Sequence, residues 1–235
     1  MYKYKVIREN LHVDWHFLKP IFSFMQVGPR FFAMLHEQFS QMLNLQPGEL
    51  LVNTGATSLG EARAVYRIYG GGSTVTLHAD RLNLSVPGAN PWEMSLVNSI
   101  MGALHDGFKK DFPEIETGLI EVASYAHCDL GSVEAVQEFL TRYRIPLNPS
   151  SAASPKVSIK PAVKFTATAE TGDWEATVQA EHSVQSPSAL FVSINLKVLK
   201  LSSDLPFIEK AAIIQSITAR CLAMIDLELD NGAQA

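Results

Sequence analysis

Two pairs of landmarks in this chain stand 115 positions apart. Pro91 and Pro206 each open an apolar helical stretch, and His12-x-Asp14 returns as His127-x-Asp129 inside a second strand-like stretch. That spacing is far longer than a solenoid repeat, whose period runs about 20–50 residues. It predicts a chain that lays down one order of elements twice: strand, helix, three or four strands, helix. The fold expected is α+β, a mostly antiparallel sheet with helices packed on one face, because meandering strands between amphipathic helices leave one apolar sheet face to cover. The halves fall at 1–113 and 114–235, either as two similar subdomains or as one continuous domain.

Local patterns support each element. Leu11, Val13, Trp15 and Phe17 alternate with His12, Asp14 and His16, the period of a half-buried strand. Gly28-Pro29 is expected to start a helix whose apolar face is Phe31, Phe32, Leu35, Phe39, Met42 and Leu43. Strands follow at Glu49 to Asn53, Glu61 to Tyr69, Ser73 to Ala79 and Arg81 to Val86, with Gly70-Gly71-Gly72 as a hairpin turn. Asn90, Pro91 and Glu93 read as the start of a second helix striped by Trp92, Leu96, Ile100, Leu104 and Phe108. In the second half, a strand at Gly118 to Leu130 precedes a helix capped by Ser132. Strands at Lys156 to Glu170, Trp174 to Val184 and Leu190 to Lys200 then lead to a last helix, capped by Asp204 and ending near Glu228.

This order resembles the duplicated saddle of the TATA-binding protein and, more loosely, the helix-grip folds that wrap a sheet around a long helix. The resemblance is topological, with no motif residues behind it. It implies an arrangement of elements and no function.

Composition sets the classes that can be excluded. Hydrophobic residues make up 47% of the chain and charged residues only 18%, against about 25% charged in an ordinary globular protein. That is too apolar for disorder and unlike collagen or a coiled coil. The net charge is -5, and the densest basic cluster, Lys109-Lys110, is followed at once by Asp111. Nucleic-acid affinity comes mostly from neutralised phosphates, so no nucleic-acid partner is expected. No apolar leader opens the sequence, and no run approaches the roughly 18 apolar residues of a spanning helix. A cytoplasmic protein without a membrane partner is expected, with Cys128 and Cys221 as reduced thiols.

Three His-x-Asp pairs occur, at His12/Asp14, His78/Asp80 and His127/Asp129. Strand residues two apart share a face, so His12, Asp14 and His16 are weak candidates to converge on one cation, in competition with a plain solvent-facing row. Neighbouring strand residues point oppositely, so His127 does not activate Cys128, and both cysteines read as core thiols. His105 and Asp106 are helix neighbours about 100° apart and do not suit an acid–base pair. Gly70-Gly71-Gly72-Ser73-Thr74 lacks the lysine of a phosphate loop. No catalytic residue and no cofactor are assigned.

The last helix remains. Phe207, Ile208, Ala211, Ala212, Ile213, Ile214, Ile217, Cys221, Leu222, Met224 and Ile225 cover well over half its circumference. It is therefore expected to be buried on several sides, by the sheet, another helix or a second subunit. The function expected is a non-enzymatic binding or scaffold protein that self-associates as a homo-oligomer, a dimer in the simplest case. The alternative is a binder of, or enzyme on, a small apolar molecule held between the sheet and the C-terminal helix. A protein partner is the remaining expectation.

Overall fold

The alternation around Leu11 does produce a strand, and that strand organises the molecule. A computed structural model describes residues 1–22, 24–43, 50–52, 58, 61–68, 72–143, 161–201 and 205–230. Its first half contains β1 (Tyr2–Phe17), α1 (Phe24–Leu43), β2 (Leu50–Val52), β3 (Arg63–Ile68), β4 (Ser73–His78), β5 (Arg81–Ala89) and α2 (Pro91–Asp111). The second contains β6 (Thr117–Asp129), α3 (Val133–Thr141), β7 (Ala162–Thr168), β8 (Trp174–His182), β9 (Ala189–Val198), α4 (Phe207–Ala223) and β10 (Leu227–Leu229). The strands follow the path β2-β3-β4-β5-β1-β6-β9-β8-β7, every neighbouring pair antiparallel. Off that path, β10 pairs in parallel with residues Tyr2 to Tyr4 of β1.

The fold is therefore α+β, with four helices packed against a mostly antiparallel sheet. β1 and β6 pair at its centre, from Lys5 opposite Asp129 to Phe17 opposite Thr117, and the remaining strands form a wing on either side. The order strand, helix, strands, helix recurs. Order alone does not make the halves copies: the first helix has 20 residues in one and its counterpart 9 in the other.

β1 is longer than its alternation suggests because of a bulge. Val6 lies opposite Cys128 and Arg8 opposite His127, so Ile7 is an extra residue against β6. One extra residue exchanges the faces of everything after it. Tyr4 thus faces the helices on an even number, and Leu11, Val13 and Trp15 do so on odd numbers. A second irregularity lies in β5, where Gly88 has a φ of 68° and its N–H donates to Asn10 Oδ1.

The helices cover one face. α1 lies against β3, α2 against β1 and β5, and α3 and α4 against β8 and β9. Val27, Phe31, Met34, Leu35 and Phe39 form the buried stripe of α1. Phe108 of α2 stacks on Phe17 of β1 at 5.6 Å between ring centres, with Phe31 and Phe112 around it. Among the described residues no helix is long and apolar enough to cross a membrane.

Several expected boundaries move. α1 begins a turn before Gly28 and carries Pro29 inside it, the buried stripe reaching back to Val27. Ser132 caps α3 as expected, its Oγ accepting from the Ala135 N–H. β7 runs over Ala162–Thr168, and residues 144–160 lie outside the described residues, as do Asp204, the start of the Gly70-Gly71-Gly72 turn and the side chains of Trp92, Glu93 and Leu96. α4 stops at Ala223 rather than near Glu228: Asp226 adopts a φ of 61°, a left-handed conformation that Asp tolerates, and the chain turns into β10. Nor is α4 buried on several sides. Ile217, Cys221 and Leu222 enter the core while Ile208 and Met224 remain exposed.

Candidate functional site

Among the described residues the helices leave the other face of the sheet bare, and its side chains follow from strand parity. On β1 this face carries His12, Asp14 and His16, all half-buried. Asn83 of β5 and Glu121 of β6 stand opposite Asp14, and Asn195 and Lys197 of β9 continue the row. Their contacts form small polar groups spread over five strands. Arg81 approaches Asp14 at 3.3 Å, and the Asn83 amide donates to the same carboxylate at 3.0 Å. His16 Nε2 lies 3.3 Å from Glu121, and Lys197 sits between Glu121 and Glu175. The Tyr125 hydroxyl donates to Asn195 at 3.4 Å, and the ring meets His12 edge-on at 6.3 Å. A shallow depression of about 120 Å³ lies among His12, Asp14, Glu121 and Lys197. Partly exposed ion pairs of this kind contribute only about 0–1 kcal/mol each, so an arriving ligand can exchange them at little cost.

The three His-x-Asp pairs do three different things. His12, Asp14 and His16 share a face as their spacing predicts, but each turns to a different partner. Among the described residues no group of three or more His, Cys, Asp or Glu side chains stands close enough to hold a metal ion. At the second pair, Asp80 binds Arg81, and burial together with the Arg81 charge holds His78 below its ordinary range. At the third, His127 is buried beside Phe191 and Asp129 accepts from the Gly131 N–H. Ser183 Oγ accepts from the N–H groups of Gln185 and Ser186, so its own hydrogen points to His127 Nδ1 at 2.9 Å. That histidine ties down a turn. Cys128 and Cys221 are free and buried, and burial pushes the Cys128 thiol up to about 12, far from a nucleophile's range.

His105 and Asp106 require a correction. Around the helix axis they diverge, yet the side chains fold back so that His105 Nδ1 and Asp106 Oδ1 are 2.8 Å apart. His105 Nε2 in turn lies 3.0 Å from Nζ of Lys210, a buried lysine in the first turn of α4. An ammonium only donates, so Nε2 accepts and the Nδ1–H donates to Asp106, with His105 neutral. Burial holds His105 below its ordinary range; the hydrogen bond to Asp106 opposes this and the Lys210 charge adds to it. The Asp–His–Lys chain borders a cavity of about 280 Å³ whose floor is Trp15, Phe17, Leu82, Phe108 and Phe112. The sequence shows no sign of Lys210 here, since packing across α2 and α4 joins residues 105 positions apart. Nor does the cavity lie under the C-terminal helix, which contributes only Lys210 to it.

No family model matches the chain. No curated protein matches it either. Among solved structures it is similar to the rolling circle replication initiator protein from Geobacillus stearothermophilus, at 11% identity and a TM-score of 0.35, over 94% of this chain and 84% of that one. A likeness that remote carries over neither a fold nor an activity. Two expectations from the sequence are not carried further: the self-associating non-enzymatic scaffold, with its apolar-ligand alternative, and the absence of a nucleic-acid partner. Both are withdrawn.

Proposed function

We propose that the bare face of the sheet is a docking surface for a single-stranded nucleic acid. The observation that carries this reading is the middle of that face, where Tyr125 and His12 present rings beside the amides of Asn83 and Asn195. A base stacked on an aromatic ring gains about 1–3 kcal/mol whatever its identity, and the amides supply donors and acceptors for its edges. Cations stand on both wings for the phosphates: Arg63, Arg67 and Arg81 on one, Lys164 and Lys197 on the other. The acidic groups of this face number nearly as many, so its charge is close to balanced while the whole chain carries -5. Weak, salt-sensitive and sequence-tolerant binding follows from such a surface.

The same reading treats residues 1–113 and 114–235 as related halves of one platform, with β1 and β6 as its centre. It also places the protein in the cytoplasm, a setting that two free buried cysteines suit.

Fluorescence anisotropy with a labelled single-stranded oligonucleotide at about 50 mM salt tests the proposal. Binding is expected, with an affinity that falls as salt rises. Tyr125→Ala is expected to weaken it by about tenfold, the value of about 1.4 kcal/mol of stacking, while Tyr125→Phe retains it. No binding at low salt, or a Tyr125→Ala protein that binds like the parent, overturns the reading.

A further inference from the structure

The cavity between α2, β1 and the start of β6 is separate from the bare sheet face, and its chemistry differs. We propose that it takes a small anionic carbonyl compound of the 2-oxo acid class, which Lys210 captures as an imine.

Geometry supplies three parts of this. Lys210 is 4% exposed and lines the cavity, so its amine meets a ligand away from bulk water. His105 Nε2, at 3.0 Å, accepts the proton that an ammonium must lose before nitrogen can act as a nucleophile, and Asp106 holds the ring in the tautomer that leaves Nε2 open to accept. The floor of Trp15, Phe17, Phe108 and Phe112 suits a flat apolar body, and Lys109, exposed at the rim, suits a carboxylate. Glu116, also at the rim, repels a second negative group and favours a ligand with one.

The step balances without any further reactant. His105 takes a proton from the Lys210 ammonium, and the freed amine attacks the carbonyl carbon to form the C–N bond. The nitrogen, positively charged after the attack, passes one of its two protons to the carbonyl oxygen, which becomes a hydroxyl. His105 returns its proton as that hydroxyl leaves as water, and the nitrogen lone pair closes the C=N bond. Ammonium and carbonyl become a protonated imine and water, with no oxidation or reduction.

Phenylpyruvate with cyanoborohydride, which reduces an imine to a stable amine, is the probe. The full chain is labelled briefly and the modified lysines are mapped by peptide mass spectrometry. Lys210 is expected to label at least about ten times faster than the exposed Lys3, and to lose that advantage when the protein is unfolded in urea. His105→Gln, which retains a polar side chain but not a base, is expected to slow Lys210 by about tenfold or more. A Lys210 that labels no faster than Lys3 in the folded chain overturns the proposal, and that measurement needs no variant. A His105→Gln protein that labels at the parent's rate also overturns it. Neither result touches the nucleic-acid reading, which rests on the opposite face.

Discussion

Glu9 places a carboxylate on the side of the sheet that the helices cover. It stands opposite Ala126, and Ser124 Oγ donates to it at 2.6 Å. Burial pushes the carboxyl above its ordinary value of 4.5, with the Ser124 hydrogen bond opposing, and the Glu9 charge in turn helps to raise Tyr4 and Cys128. A folded-state value above the unfolded one means that the folded protein holds the proton more tightly. The contribution of Glu9 to stability is therefore greatest where it is protonated in both states, and declines as pH rises from 4.5 through the raised value. Glu9→Gln retains the oxygen that Ser124 needs and removes the buried charge. Thermal unfolding followed across pH is expected to show the variant more stable than the parent at pH 7, with the gap closing as pH falls below 4.5. A gap that widens in acid contradicts this placement of Glu9.

At the scale of elements, the bulges in and beside β1 aim its two faces. Gly88 holds the β5 irregularity with φ at 68°, and a Cβ there would come within 2.6 Å of the Arg8 side chain, whose Nε donates to the Gly88 carbonyl. Gly88→Ala is expected to cost about 1–2 kcal/mol, from the left-handed backbone and the displaced Arg8. In a chain of this size that lowers Tm by roughly 2–8 °C; an unchanged Tm contradicts the strain argument. The same bulges show why only part of β1 was legible. Period two is clean from Leu11 to Phe17, but Ile7 reverses the parity before it, so Tyr2 to Val6 read as a separate pattern. The end of α4 was hidden differently: Leu222 to Leu229 is apolar enough to continue a helix, and only the positive φ at Asp226 turns it into β10. Strand spacing put His12, Asp14 and His16 on one face. Their partners Arg81, Glu121 and Lys197 depend on register between strands far apart in sequence, and the Lys210 contact with His105 depends on how two helices pack.

For the whole molecule, net charge does not describe each surface separately. A net charge of -5 is an average over a chain whose other sheet face pairs Asp14 with Arg81 and Glu121 and Glu175 with Lys197. The low share of charged residues, 18%, reflects the apolar undersides of the described strands and the buried stripes of the helices, which say nothing about the opposite surface. The central claim is that this opposite surface receives a single strand across β1, β6 and β9. Photo-crosslinking to a 4-thiouridine oligonucleotide, with the attached peptides sequenced, tests it most directly. The crosslinks are predicted to fall on the peptides carrying His12, Tyr125 and Phe191. Crosslinks confined to α1, α2, α3 or α4, or none at about 50 mM salt, contradict it.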